Sequence, residues 1–387
     1  MKKTLIALAV MGASGVAMAA SNVTLYGVID TGVAVSKVKG SATKVQMSTG
    51  WNSGSRWGLK GVEDLGNGNS VGFILEQGFD SDTGNEMDST KQFARESKLY
   101  VQGAWGQLGL GRLGSLAGGA QSNSILQGWA FGTSYKDQGS WTSFGKGNGR
   151  LSNAIAYVSP SFSGFTIHAM YSNGISVDDK KWSENRHYYG LGLKYAGAAA
   201  NASLIFEAVD GKGTAEKGVK VGDYYKKFAD QLGYVGVISK AQLDYANGYT
   251  ADFKELKTAY SITAGGSYNF GMATLYGIYQ YAWQDNMNNQ HAFGLSVGAP
   301  LAGGTAKLGA RYLIGELDGH AKDVAKYLDI DTKYRALNID AAYEYPLSKR
   351  TSVYGFAGWS DGAKGYSNVK TGKFNGWSLA AGLVHKF

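Results

Sequence analysis

The sequence predicts an all-β fold: a 16-stranded antiparallel transmembrane β-barrel with an inward-folded third loop. Three observations predict it. Short segments alternate apolar and polar residues along the chain, and none gives the ~18 consecutive apolar residues of a membrane helix. The connections between these segments alternate too, tight turns with long loops, which puts the turns at one end of a barrel and the loops at the other. The chain also opens with an export signature.

That signature is compact. Lys2 and Lys3 form a basic start, an apolar stretch begins with Leu5 to Val10, and Ala17-Met18-Ala19 is a small-x-small cleavage pattern. Gly12, Ser14 and Gly15 argue against a retained anchor. Residues 1–19 are therefore expected to be a signal peptide and 20–387 the barrel domain. Of 387 residues none is Cys, which excludes a disulfide scaffold and any thiolate metal site in an exported chain. There are 57 Gly and 25 Tyr but only 3 Pro. The formal charge of +8 becomes +6, 36 basic against 30 acidic residues, once Lys2 and Lys3 leave. It is spread without a dense basic run, so nucleic acid is not an expected partner.

Taken in order, Val23, Leu25, Gly27 and Ile29 alternate with Thr24, Tyr26, Val28 and Asp30, one face each. Trp57 and Leu59 alternate with Arg56, Gly58 and Lys60. Leu99 and Val101 alternate with Lys98, Tyr100 and Gln102. Tyr189, Leu191, Leu193 and Tyr195 form one face, and Leu337, Ile339, Ala341, Tyr343 and Tyr345 another. The last strand sets Trp377, Leu379, Ala381, Leu383, His385 and Phe387 on one side. Aromatics edge these apolar faces, as a headgroup belt requires. A soluble sandwich also alternates; the export signature and the number of strands favour the barrel. The expected spans are 22–36, 53–63, 69–80, 95–104, 107–112, 150–159, 164–172, 185–196, 201–208, 257–269, 272–283, 290–299, 304–314, 335–346, 350–359 and 375–387. Pro160, Pro300 and Pro346 all fall at the tight-turn end, where a missing N–H costs no ladder bond. In the longest excursion, 209–256, the stretch Asp223 to Leu232 is expected to form a short helix.

The stretch 113–149 stands apart. A loop of that length is functional or disordered, and a disordered one would not carry Leu116, Ile125, Leu126, Trp129, Phe131, Trp141 and Phe144. It is expected to be ordered against the inner wall of a pore, bracketed by Arg112 and Arg150. Charges in a wet lumen stay ionised and select ions. Other chemistry is poorly supported. Gly109 to Gly114 matches GxGxxG after a strand, but no helix follows. The five histidines, His168, His187, His291, His320 and His385, have no ligand spacing, and there is no GxSxG elbow. No enzyme activity, metal or cofactor is expected.

The chain resembles the general porins of Gram-negative outer membranes, especially the β-proteobacterial type. The stretches that carry the resemblance are VTLYGVID after the signal, SRWGLKGVEDLGNG, GQLGLGR, NAIAYVSPSFSGFT, YPLSKRTSVYGFAG and the final LVHKF. They span Val23 to Phe387. The resemblance implies a general diffusion porin, a passive, water-filled channel for small hydrophilic solutes and ions, usually a homotrimer. Its third loop, here 113–149, narrows the lumen. Arg56, with Lys60 four residues on, Arg112 and Arg150 match the family's basic residues of the constriction. Asp137 is the single carboxylate of this third loop, where relatives carry several; Glu76 and Glu96 are candidate acidic groups of the wall. The eyelet is thus expected to be net basic and the channel to prefer anions modestly. Val384 stands where the family's closing strand often has a basic residue. Phe387 matches the terminal aromatic read by the barrel-assembly machinery. Outer-membrane lipid and lipopolysaccharide are the implied surroundings. Two alternatives stay open: a substrate-specific channel with Trp129, Phe131, Trp141 and Phe144 as a lumenal binding site, and a structural or adhesive barrel with a plugged lumen.

Overall fold

The computed structural model describes residues 23–118, 121–223, 244, 246–248, 250–327, 329, 331–364 and 375–387. Residues 1–19, and all but the first residue of the helix expected at 223–232, lie outside them. Among the described residues, sixteen antiparallel strands close into one barrel. They are β1 Thr24–Val38, β2 in two parts, Lys44–Thr49 and Arg56–Gly66, β3 Asn69–Gly78 and β4 Glu96–Gly103. β5 Gly106–Gly114, β6 Arg150–Val158, β7 Phe165–Ser172 and β8 Tyr188–Ala196 follow. Next come β9 Ala200–Val209, β10 Ala259–Asn269, β11 Thr274–Gln284 and β12 Asn288–Leu301. The chain ends with β13 Gly304–Leu317, β14 Lys333–Pro346, β15 Thr351–Lys364 and β16 Gly376–Lys386.

Closure removes the edges that an open sheet would leave unpaired. β16 returns to β1 with Val28 opposite Lys386 and Val38 opposite Gly376. Beyond the ladder, the Gly27 and Phe387 main chains exchange two hydrogen bonds of 3.0 and 3.1 Å.

The other edge of β1 is shared by the two parts of β2. Thr31–Ser36 face Thr49–Lys44, and Thr24–Val28 face Lys60–Arg56. The partner numbers step by four between the two ladders, so four extra residues bulge out of β2 there. Side chains stitch the gap: the Asp30 carboxylate accepts from the Ser53 N–H (2.6 Å) and the Tyr354 hydroxyl (2.9 Å). The sequence reading placed 37–52 wholly in a loop. The run Gly50-Trp51-Asn52-Ser53-Gly54 breaks the alternation and hides the first half of the strand.

The two faces are inverted relative to a water-soluble protein. Leu25, Ile29, Leu191, Leu295, Ile339 and Leu379 are exposed, while Asp30, Glu207, Gln280, Arg311, Asn338 and Asp340 on the opposite faces are buried. An apolar exterior around a polar interior is stable only with lipid outside. At the tight-turn end Asn67 and Gly68 take positive φ (52° and 74°), the two-residue turn that fits strand twist. At the loop end a helix, Gly319–Tyr327, joins β13 to β14, and Glu216–Lys220 pairs with Thr250–Phe253.

Candidate functional site

The segment from Ser115 to Gly149 leaves at β5 and returns at β6, yet it touches inward-facing residues almost all the way round. The Ala130 N–H donates to Ser296 Oγ on β12 (3.0 Å), Gln280 Nε2 on β11 to the Lys146 carbonyl (2.7 Å), and Lys136 Nζ to Ser48 Oγ on β2 (3.0 Å). The Tyr135 ring stacks on Phe356 of β15 with centroids 4.9 Å apart. A segment with those contacts crosses the enclosed side of the barrel.

Its apolar residues explain why it stays there. Trp129, Phe131, Tyr135, Trp141 and Phe144 form one buried cluster with Ile278, Leu313, Tyr354 and Phe356 of the wall. Leu116 and Ile125 join a second with Leu151, Met170, Tyr188 and Ile205. Inward glycines make the seat. A Cβ at Gly192 would meet Ile125, one at Gly265 the Gln127 carbonyl, one at Gly294 the Trp129 and Trp141 rings, and one at Gly309 the Trp129 and Phe131 rings. Beneath the rings Arg311 is fully buried. It donates to Asn338 Oδ1, to Asp340 Oδ2 (2.9 Å) and to the Ser140 carbonyl, with its guanidinium 5.1 Å from the Trp129 ring and 4.8 Å from Phe144. Trp129, Phe131, Trp141 and Phe144 are 5, 2, 1 and 4 % exposed. They glue the loop to the wall and offer no lumenal surface, which removes the aromatic binding site expected of a substrate-specific channel.

The opposite wall carries the charge. A cavity of about 560 Å³ lies between the loop and strands β2–β6. Arg56, Arg95, Lys136 and Arg150 line it, with Asn52, Ser53 and Gly54 of the β2 bulge and Thr133, Ser134 and Thr142 of the loop. Arg56 Nη1 is held by the Gly54 carbonyl (2.8 Å) and Ser53 Oγ (3.2 Å). Gln121, with its amide oxygen turned toward Arg150, accepts from Nε and Nη2 at 2.9 Å each.

The acids sit behind the arginines. Glu76 accepts from Arg95 Nε at 2.7 Å, faces Arg56 Nε at 3.4 Å and accepts from the Tyr26 hydroxyl at 3.0 Å. Glu96 accepts from the Ser122 hydroxyl and N–H. Both carboxylates are buried and neither lines the cavity. Asp137 lies in the short helix Lys136–Gly139, and its side chain is outside the described residues. On the loop itself, burial drops the Lys146 ammonium to about 8.

Of the sequence candidates, Arg56 and Arg150 come together here. Lys60 faces the lumen nearer the tight turns, over the Tyr26 ring (5.3 Å). Arg112 does not join them. Its β4 partner is Ser97, next to the pair Leu99 and Leu110, both exposed on the outer face. Its guanidinium donates to the Ala94 carbonyl (2.7 Å) and Ser152 Oγ (2.9 Å). Alternation sends Arg112 outward, although its place at a strand end beside the loop suggested a lumenal role. Sequence reasoning missed Arg95, Lys136 and Arg311. Arg311 alternates in register with Gly309 and Leu313, which marks it as inward; Arg95 opens the expected strand 95–104, where alternation would set it outward with Leu99, but it stands in irregular backbone ahead of β4, and Lys136 stands in the loop with no such signal.

A family model described as Gram-negative porin matches residues 4–365. An outer membrane porin of Bordetella pertussis is 28% identical over the full length of both chains. Outer membrane porin protein 32 of Delftia acidovorans is 32% identical over 92% of this chain and 88% of its own. Among solved structures, an anion-selective porin from Comamonas acidovorans superposes with a TM-score of 0.61 at 25% identity, covering 95% of this chain and all of that one. OmpT of Vibrio cholerae in its trimer form gives the same TM-score at 16% identity, a likeness of fold.

Proposed function

The chain belongs to the Gram-negative porin family, and from that premise we propose that it is an anion-preferring diffusion pore whose eyelet lies between the loop and the β2–β6 wall. Members of this family are passive channels of the outer membrane and not enzymes, and this chain is one of them. Solutes cross by diffusion through water, so the chemistry of the site is sieving and charge selection. One observation carries the preference: Arg56, Arg95, Lys136 and Arg150 line the cavity, and among the described residues no carboxylate does. Fixed cations without facing anions raise the local concentration of anions and exclude cations. Glu76 and Glu96 reduce this field from behind the wall without reversing it. Arg112 stands outside the eyelet in this reading, and Lys60 acts deeper in the lumen. A relative of similar fold is described as anion-selective, which agrees.

The reading extends to the rest of the molecule. Residues 1–19 act as a signal peptide, so the mature protein begins at Ala20. Three copies form the native particle, embedded in outer-membrane lipid and lipopolysaccharide. The assembly machinery reads the last strand, whose Phe387 ring fills the space that a side chain at Gly27 would need. Single-channel current in a planar bilayer under a salt gradient tests the core of the proposal. Large steps, often in threes, with a reversal potential on the anion side are expected. A reversal potential on the cation side would overturn the assignment of the basic eyelet.

A further inference from the structure

The loop is glued along its length, but its two necks are held by something else. The outgoing neck runs through Ser115, Leu116 and Ala117, and the returning one through Asn148 and Gly149. They lie side by side, with the Ser115 N–H donating to the Gly149 carbonyl at 2.8 Å. Glu207, inward-facing on β9 and 1 % exposed, meets both. Its Oε1 accepts from the Ala117 N–H (3.2 Å), and its Oε2 from Asn148 Nδ2 (3.1 Å). A third donor, the Tyr188 hydroxyl of β8, reaches Oε1 at 2.7 Å and itself accepts from the Leu116 N–H at 3.3 Å. Among the described residues no basic side chain forms an ion pair with this carboxylate.

A buried acid without a cation is unfavourable unless its oxygens are saturated by donors. Here they are, and two of the three donors belong to opposite necks of one loop. We propose that Glu207 is a positioning residue of the pore: it clamps both necks to β9 and so holds the aperture at one width. This rests on the reading of the loop as the constriction. The carboxylate offers two equivalent acceptors, one to each neck. A glutamine in its place can still be met, because the Asn148 amide can turn to offer Oδ1 to the new NH₂, whereas an aspartate at 148 has no donor and sets a second carboxylate against Glu207.

The test is a set of variants in planar bilayers, with β-sheet circular dichroism and the thermal transition as checks on the fold. Asn148→Asp should raise open-channel current noise several-fold, with brief sublevels, while the thermal transition stays near that of the parent. Asn148→Ala should give the same noise. The swap Glu207→Gln with Asn148→Asp gives the glutamine NH₂ a carboxylate to donate to, and should restore quiet currents. Ser203→Ala, on the same face of β9, is the control and should stay quiet. Folded Asn148→Asp and Asn148→Ala channels as quiet as the parent overturn the clamp. If Asn148→Asp does not fold, Asn148→Ala decides alone. A parent protein that gives no current steps would instead overturn the channel reading itself. An unchanged reversal potential in Arg150→Gln would overturn the eyelet while leaving the clamp standing.

Discussion

Arg150 is the residue on which the charge argument can be tested most cleanly. Its partner is the neutral Gln121, so Arg150→Gln strands no buried acid. The same change at Arg95 would leave Glu76 with a weaker partner. A 560 Å³ cavity has an equivalent radius of about 5 Å, so each lining charge acts on a centred ion with about 0.8 kcal/mol at the dielectric constant of water. Screening over a Debye length of about 10 Å at 0.1 M salt lowers this to about 0.5 kcal/mol, or roughly a factor of two for an anion and the same factor against a cation. The anion-to-cation permeability ratio should therefore fall about fourfold. The assay is the reversal potential across a bilayer under a KCl gradient, read at two ionic strengths, with the shift smaller at the higher one. Arg112→Gln is the matched comparison, because its guanidinium is tied to Ala94 and Ser152 away from the cavity. A large shift in Arg112→Gln with none in Arg150→Gln would refute the strand-parity argument that separates the two.

Glu76→Gln removes the acid behind the eyelet, so anion preference should rise. The barrel should also lose about 1.5–3 kcal/mol, because buried Arg95 keeps a neutral acceptor but loses its counter-charge; reversal potential and thermal denaturation report the two effects. Trp141→Ala deletes a ring that is 1 % exposed and should cost about 3–5 kcal/mol of loop packing. Conductance and current noise should increase while circular dichroism still shows an intact barrel. The Lys146 ammonium, lowered to about 8 by burial, is charged below that pH and neutral above it. Raising the pH from 7 to 9 should then weaken anion preference, and Lys146→Gln should remove that step from the pH profile.

The barrel was legible because lipid and lumen impose a strict period of two. Each of the sixteen strands is found where alternation placed it, and the last one faces Leu379 and Leu383 outward as read from the sequence. Legibility failed wherever the period breaks. The Gly50–Gly54 run concealed half of β2. The facing of Arg112 is a different case: β5 keeps its period through Gly111, Arg112 and Leu113, the extra residue of the register shift lying on β6, and the place of Arg112 beside the loop outweighed the alternation. The site was half legible for a related reason. Arg56 and Arg150 lie on strands, but Arg95 and Lys136 are brought to the cavity by irregular backbone. The loop's aromatic content announced an ordered segment, while its burial against Phe356 and Leu313 needed the closed barrel to be seen.

On the proposed reading of the loop as the constriction, the glycines under it shift where pore size is encoded. Gly192, Gly265, Gly294 and Gly309 act as a mould, and the loop is cast against it. A methyl group added at any of them would push the loop toward the lumen and narrow the aperture, without altering a residue that touches the solute. Loop sequence can then drift, provided that the mould keeps its depth. The bore of the channel is written in four absent side chains of the wall.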